Sequence, residues 1–359
     1  MTGINKPIVM IVDYPPDKNN WLKMELEKLG YDVTLLTIEN SRFYLRNRQS
    51  KWRKVLLWLQ LFALGWRGAR TARRLDGILV AWNFISGVFA SLYFNFLNNK
   101  HFPIIALNMI ALDKSLVNNI VRKFIYSLAF QHDNLQLTVN SLELRDKYLN
   151  EYKNLKEHRI SVLHDAYGSD YAILSPQTSG GSFVFSGGEA ARDWDTLLRV
   201  ASYCKELPFK VIARRMHWHF SHNLPNNVSV QFDTSEDYFY STVSKSKLVL
   251  LPLKTDVFTV GLIVLIRSIL LGKLVIATKN PAVLAYFPDH CHDLLIPVGD
   301  AETMAQTLRK YWRDQKLRTA KTAEIQNHII NSFSPEMFAK EIDGIIARSS
   351  YTQSSKKTY

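Results

Sequence analysis

The stretch FVFSGGEAARDWDTLLRVA, residues 183–201, decides the fold because it joins an apolar run to a helical pattern through two glycines. The apolar residues at its start are typical of a buried strand. Gly187 and Gly188 then bring the backbone to a helix N-terminus, whose free N–H groups favour an anion. Arg192 adds a guanidinium that can bind a diphosphate through two hydrogen bonds. An ordinary turn, with Arg192 paired to a neighbouring aspartate, is the alternative.

Strands and helices alternate on both sides of this stretch. Before it, apolar runs occur at residues 7–14, 32–38, 77–82, 102–110, 135–141 and 159–164. After it, they recur at 209–215, 228–232, 247–253, 273–278 and 293–299. Alternation of this kind predicts an α/β protein with mostly parallel sheets.

The uncharged segment ILSPQTSGGS, rich in Ser, Gly and Pro, is typical of a linker and divides the chain into two domains. The predicted parts are a first domain at 1–172, the linker at 173–182, a second domain at 183–334, a helix at 335–348 that can pack back onto the first domain, and a disordered tail at 349–359. A ligand is expected at the carboxyl ends of the strands, in a cleft between the two halves.

The composition narrows the class of protein. The chain has 359 residues, of which 47% are hydrophobic, and two cysteines, Cys204 and Cys291. Two cysteines cannot form a disulfide framework, which suits a reducing compartment. No signal peptide is visible. The apolar run at 55–66 is too short to span a bilayer, and polar residues interrupt the longer one at 77–97, which we interpret as a strand followed by a helix.

A basic, aromatic segment at residues 42–74 carries ten of the basic residues that give the chain its net charge of +13, and it contains no acidic residue. Such a segment is typical of an interfacial helix on anionic lipid. A plain surface helix and a nucleic-acid surface are the alternatives, but no nucleic-acid motif accompanies the charge. The predicted membrane-docking residues are Arg46, Arg48, Lys51, Trp52, Arg53, Lys54, Trp58 and Trp66.

The second half resembles the donor-binding domain of GT-B glycosyltransferases, specifically a family-4-like group of bacterial cell-envelope and exopolysaccharide enzymes. The resemblance rests on FVFSGGEAARDWDTLL, on VGLIVLIRSILLGKLVIAT and on LLIPVGDAETMAQTL, and it extends more loosely over residues 100–348. It implies two Rossmann-like domains that face each other across a cleft, and a nucleotide-sugar donor linked to UDP or GDP. The implied donor-binding residues are Gly187, Gly188, Arg192, Arg214, Thr259, Gly261 and Arg267.

The sequence departs from the family at two donor positions. Many relatives carry two glutamates eight residues apart, and alignment on Gly272 places Thr259 and Arg267 there. A guanidinium cannot accept hydrogen bonds from ribose hydroxyls. The usual ribose-binding carboxylate is therefore missing from this position.

Glycosyl transfer requires stabilisation of a leaving diphosphate and removal of a proton from an acceptor hydroxyl. In a metal-independent enzyme, Arg192 and a helix N-terminus meet the first requirement. Asp113 and Asp13, which follow predicted strands, are the candidate catalytic bases. The histidines of HWHFSH lack cysteine or carboxylate partners nearby, so we predict no metal site at His217, His219 and His222.

Together these features predict a glycosyltransferase at the inner face of the cell membrane. Its partners would be a nucleotide sugar, a lipid-linked saccharide acceptor and an anionic membrane surface, with no nucleic acid and no cofactor. It would serve in the synthesis of a cell-surface polysaccharide or glycoconjugate. A GT-B-like accessory subunit that lost catalysis, and a nucleotide-sugar 2-epimerase, are the alternatives.

Overall fold

The computed structural model resolves the chain into two compact units. The residues that the structure describes are 6–14, 20–38, 51–97, 102–109, 116–131, 133–168, 171, 173–174, 181–189, 191–220, 224–254 and 261–354. The first unit comprises Met1–His164 and Pro335–Tyr359, and the second comprises Asp165–Ser334. Each is built on a parallel sheet with interleaved helices, so the predicted α/β class is confirmed.

The sheet of the first unit has six strands in the order β2-β1-β3-β4-β5-β6, and neighbouring strands are parallel throughout. The strands are β1 (Ile8–Val12), β2 (Val33–Thr37), β3 (Ile78–Ala81), β4 (Ile104–Ala106), β5 (Leu135–Val139) and β6 (Ile160–Val162). Strands β1, β3, β4 and β5 are buried along their whole length. Burial on both faces explains why they occur in the sequence as continuous apolar runs.

The helices of this unit up to β6 are α1 (Trp21–Lys28), α2 (Lys51–Leu75), α3 (Phe84–Leu97), α4 (Leu116–Ala129) and α5 (Leu142–Glu151). The strand and helix predicted at 77–97 are thus present as β3 and α3. Because parallel crossovers are right-handed, α2, α3 and α4, which connect β2 to β5 in one direction across the sheet, share one face of it.

A buried arginine fixes the edge of this sheet. Arg159 ends a 3₁₀ helix (Glu157–Arg159) directly before β6 and is fully buried. Its Nη1 donates to Phe130 O at 2.6 Å, and its Nε and Nη2 donate to Leu135 O at 3.0 and 2.9 Å. Burial lowers the pKa of Arg159 to about 10, so the guanidinium stays charged at neutral pH. One side chain thereby ties β6 to the end of α4 and the start of β5.

The C-terminal helix α12 (Pro335–Ser354) is part of the first unit. Phe338 packs edge-on against Trp21, with 5.4 Å between ring centroids, and the Tyr31 hydroxyl donates to the Asp343 carboxylate. The prediction of a disordered tail from residue 349 is wrong as far as Ser354. The segment 345–354 contains no glycine or proline that would end the helix.

The second unit has a six-stranded parallel sheet in the order β12-β11-β10-β7-β8-β9. Its strands are β7 (Val184–Gly188), β8 (Phe209–Ala213), β9 (Val228–Phe232), β10 (Leu248–Leu251), β11 (Val275–Thr278) and β12 (Leu295–Ile296). Its helices are α6 (Trp194–Tyr203), α7 (Glu236–Ser244), α8 (Leu262–Leu270), α9 (Pro281–Leu284), α10 (Ala301–Arg313) and α11 (Gln315–Ser332). The strand order reverses between β7 and β10, and ligands of such sheets bind at the carboxyl ends beside that point.

Of the helices in the described part of the chain, none combines the length and the hydropathy needed to cross a bilayer.

Candidate functional site

The glycine pair of the opening stretch ends strand β7 at the carboxyl edge of the second sheet. A Cβ on Gly187 would lie 2.7 Å from the Phe239 ring and 3.0 Å from Ile212 O, so only glycine fits there. Gly188 has a φ of 126°, a conformation that side chains disfavour. The turn is therefore built for close approach of another group to the backbone.

The group that approaches is Arg192. Its Nε donates to Gly187 O at 2.7 Å, the side chain is 5% exposed, and a Cβ added to Gly188 would collide with the guanidinium. Two backbone features hold Arg192 in this position. Asp193 N donates to Pro252 O at 3.0 Å, and Ala191, which precedes Arg192, has a φ of 49°. Burial lowers the pKa of Arg192 to about 10. The structure thus holds a charged guanidinium against the turn, in a position that backbone strain helps to define.

Helix α8 begins beside the same guanidinium. Its N-cap is Gly261, with a φ of 92°, and a Cβ there would lie 3.2 Å from Arg192 Nη1. Arg192 therefore lies between the β7 turn and the N-terminus of α8, where backbone N–H groups and the helix dipole favour an anion. Thr259, which the sequence places beside Gly261, lies outside the described residues.

The other two predicted donor-binding arginines are held by carboxylates. Arg214, which follows β8, lies 2.5 Å from Glu189 Oε1 through its Nη2 and 3.7 Å from Asp233 Oδ1 through its Nη1. Arg267 Nη1 lies 2.5 Å from Glu236 Oε1. These acidic partners were missed by the sequence analysis, because nothing in their spacing links them to the arginines.

Arg267 also lies over the rings of two tyrosines. Its guanidinium carbon lies 3.7 Å from the ring centroid of Tyr240 and 4.7 Å from that of Tyr171. A planar guanidinium on aromatic faces is a stabilising cation–π arrangement. Arg267 is thus a packed, paired side chain.

An open surface depression of about 550 Å³ lies where β9 ends and α7 begins. Phe232, Ser235 and Tyr238 line it together with Arg215, whose guanidinium carbon lies 4.6 Å from the Phe232 ring centroid. Aromatic faces beside polar groups suit a planar polar ligand.

The first unit also carries polar side chains at the carboxyl edge of its sheet. Asp13 follows β1 and is 4% exposed. It accepts a hydrogen bond of 2.7 Å from Nδ2 of Asn83, a residue that follows β3. Asn108, after β4, has a φ of 56°, and its backbone N donates to Thr138 Oγ1 at 3.0 Å. The structure therefore places one predicted base, Asp13, in a polar row, whereas Asp113 lies outside the described residues.

His164, which follows β6, extends that row and was not predicted. Burial lowers the pKa of His164, while a backbone hydrogen bond with Asn140 and the charge of Glu341 oppose the shift. The signal for these residues was present in the sequence, since each follows an apolar run directly. It was not specific, because polar residues after strands also act as helix caps.

The predicted docking segment forms helix α2 from Lys51 onward. Arg46 and Arg48 lie outside the described residues, and Lys51, Trp52, Arg53 and Lys54 form the first turn. Trp58 is 37% exposed. Trp66 is half-buried, with its ring centroid 4.4 Å from that of Tyr93, so it packs within the helix layer instead of facing outward.

Trp66 does not face outward, but other apolar side chains of α2 and α4 do. On α2, Leu56 is 42% exposed, Leu59 is 59% exposed and Phe62 is 42% exposed. On α4, Ile120 and Phe124 are 69% and 65% exposed. The spacing of three or four residues puts each set on one side of its helix. We call these five residues the apolar face.

His217 and His219 of the HWHFSH segment are exposed, and His222 lies outside the described residues. Neither described histidine belongs to a cluster of metal-ligating side chains found in the described part of the chain.

No protein-family model matches the sequence, and no curated protein matches it significantly. Solved structures are similar over almost the whole chain. Anabaena HepE in complex with UDP and glucose has a TM-score of 0.65 at 12% identity, covering 96% of this chain and 100% of its own. A glycosyltransferase from Rickettsia africae has a TM-score of 0.66 at 14% identity, covering 96% and 98%. Sucrose-phosphate synthase from Thermosynechococcus elongatus has a TM-score of 0.67 at 12% identity, covering 97% and 100%.

These structures are two-domain, Rossmann-like proteins of the GT-B class. At such low identities the similarity is one of fold. The chain therefore has the GT-B fold, and the fold predicted from its sequence is confirmed.

Proposed function

We propose that the chain is a glycosyltransferase that moves a sugar from a UDP- or GDP-linked donor to a lipid-linked saccharide at the inner face of the cell membrane. The observation that carries the proposal is the buried Arg192 guanidinium, which lies between Gly188 and the N-terminus of α8 at the point where the strand order reverses.

The chemistry of transfer needs positive charge where the nucleoside diphosphate leaves. A guanidinium in a water-poor site interacts more strongly with an anion than one in water does. Arg192 is fixed by its bond to Gly187 O, so little reorganisation is needed when charge develops. The N-terminus of α8 adds a second source of positive potential without a metal ion.

The donor class has support from a similar protein. The HepE structures include complexes with UDP and with UDP-glucose. The open depression beside Phe232 and Tyr238, on the same unit, offers aromatic faces on which a nucleobase would stack. UDP is therefore the first nucleotide to test.

The acceptor would be activated in the first unit. Asp13 is buried at the carboxyl edge, where its Oδ2 accepts a hydrogen bond from Asn83 Nδ2. We propose Asp13 as the general base, with Asp113 as the other candidate.

Nucleotide binding tests the donor site. We expect Arg192→Lys to weaken UDP binding about tenfold, because an ammonium cannot keep the bond to Gly187 O and also present a planar fork to phosphate. Calorimetry with UDP and GDP measures this. Arg199→Lys is the matched control, since Arg199 is exposed on α6 and should not affect affinity. A well-folded wild type that binds neither nucleotide would refute the donor site.

The membrane proposal rests on the apolar face and on nearby charge. The exposed apolar residues of α2 occupy its first half, and Arg67, Arg70, Arg73 and Arg74 follow in the second. Because α2 and α4 run back from the carboxyl ends of β2 and β4, their first halves lie toward the carboxyl edge that carries Asp13. A lipid-linked acceptor would therefore be presented beside the proposed base.

Vesicle flotation tests this surface. We expect Leu59→Glu to reduce binding to anionic phosphatidylglycerol vesicles roughly tenfold. A leucine that becomes buried in lipid contributes about 1.5–3 kcal/mol to the free energy of binding. Leu142→Glu is the matched control, because Leu142 is 60% exposed on α5, nearly as much as Leu59 at 59%. Equal loss in both variants, or no loss in either, would remove the membrane proposal.

A catalytically inactive accessory subunit is the second candidate. It is favoured by Arg267, which replaces a ribose-binding glutamate and is held by Glu236 and two tyrosines. The same calorimetry separates the two, because an accessory subunit that had lost the donor site would not bind UDP or GDP.

A further inference from the structure

A cluster of metal-ligating side chains lies in the second unit, away from the carboxyl edge of the sheet where Arg192 lies. His290 and Cys291 belong to a 3₁₀ helix (Asp289–Leu294) that leads directly into β12, and Glu324 belongs to α11. Because this helix precedes β12, the cluster lies where the parallel strands begin. The donor residues lie at the opposite edge, where the strands end.

The three donor atoms already approach each other closely. His290 Nε2 lies 2.9 Å from Glu324 Oε2, Cys291 Sγ lies 3.5 Å from the same oxygen, and all three atoms fall within 4.8 Å of one another. Around a tetrahedral Zn²⁺ with bonds of about 2.0 Å to nitrogen or oxygen and 2.3 Å to sulfur, ligand atoms stand roughly 3.3–3.6 Å apart. The His290–Glu324 and Cys291–Glu324 distances already agree with that range to within about 0.4 Å.

A lysine now supplies positive charge to the cluster. Lys321 Nζ lies 3.6 Å from Cys291 Sγ, 3.4 Å from Glu324 Oε2 and 2.9 Å from His290 O. Its side chain is 16% exposed, so the ammonium has a path to solvent. Two of these acceptors, Cys291 Sγ and Glu324 Oε2, belong to the cluster, so the cluster already attracts a cation.

We propose that His290, Cys291 and Glu324 form a Zn²⁺ site, with water as the fourth ligand, which links the segment before β12 to α11. Thiolate and imidazole ligands favour zinc over Mg²⁺ or Ca²⁺. On binding, the Cys291 thiol loses its proton to solvent, a Zn–S bond forms and Lys321 turns outward. No electron is transferred.

The ligand set and the lysine beside it determine the expected behaviour. Zinc binds cysteine as the thiolate, so binding must release a proton from the Cys291 thiol. The Lys321 ammonium opposes the incoming cation, so removing it should tighten binding.

The test is titration of the metal-free full chain with ZnCl₂ by calorimetry and with CoCl₂ by absorption. We expect one ion per chain, a thiolate-to-cobalt charge-transfer band, and a higher melting temperature with Zn²⁺. Cys291→Ser and Glu324→Gln should weaken binding at least tenfold, and Lys321→Met should strengthen it about tenfold.

Controls separate this site from adventitious binding. Cys204→Ser changes the other buried cysteine, and His217→Gln changes an exposed histidine; both should bind like the wild type. The Glu324 side chain is 44% exposed on α11, and glutamine has nearly the same shape, so Glu324→Gln should fold normally. Binding that survives Cys291→Ser, or a cobalt complex without the charge-transfer band, would overturn the proposal. UDP binding should be unaffected by Zn²⁺, so the two sites are tested independently.

Discussion

Replacing Arg159 with methionine is expected to destabilise the first unit by about 3–5 kcal/mol, because it leaves buried carbonyls without donors. The guanidinium is fully buried and donates to Phe130 O and Leu135 O. Each unsatisfied buried carbonyl costs about 1–3 kcal/mol. Methionine fills most of the space of the arginine side chain, so the loss of stability measures the missing hydrogen bonds more than the cost of a cavity.

Hydrogen exchange localises this effect. Peptides of β5 and β6 should exchange faster in Arg159→Met, while those of the second sheet should not change. Arg145→Met is the matched control, because Arg145 forms an ion pair with Glu157, whose side chain is 75% exposed. Such pairs contribute about 0–1 kcal/mol. Similar destabilisation by both variants would mean that the buried hydrogen bonds of Arg159 contribute no more to stability than an exposed ion pair does.

The fold was predictable because parallel strands leave a strong mark on the sequence. A strand buried on both faces needs an unbroken apolar run, as in IVMIV of β1 and LVLL of β10. The glycine pair and the helix after it were equally readable, since Asp193 caps α6 by accepting from Thr196 N at 3.1 Å. Apolar runs and helix caps therefore predicted the individual strands and helices, and the alternation of strands with helices predicted the parallel sheets.

The candidate site was only partly predictable, because partners distant in sequence decide what a charged side chain does. Arg192 and Arg267 look alike in the sequence, but one lies under a glycine turn and the other is paired with Glu236 and stacked on Tyr240. Trp66 was predicted to face the membrane because it lies in a basic, aromatic segment, but its position on α2 turns it toward Tyr93. Exposure depends on which side of a helix meets its neighbour, and periodicity alone leaves that open.

Gly188→Ala is expected to reduce UDP binding about a hundredfold or more, which is the largest effect that we expect on the donor site. The new Cβ would occupy the space of the Arg192 guanidinium and would force its displacement from the turn. The backbone φ of 126° would add strain of about 1–3 kcal/mol. Loss of one charge-assisted contact and of its fixed position together correspond to roughly 3 kcal/mol in affinity.

Gly299→Ala separates the two contributions. Gly299 has a φ of 72°, and a Cβ there meets nothing within 4 Å, so alanine adds backbone strain without displacing a side chain. Both variants should lower the melting temperature of the second unit, but only Gly188→Ala should lose UDP affinity. If Gly299→Ala weakens binding as much, strain alone explains the effect. If Gly188→Ala binds like the wild type, the diphosphate does not depend on Arg192, because that guanidinium cannot keep its place beside an alanine.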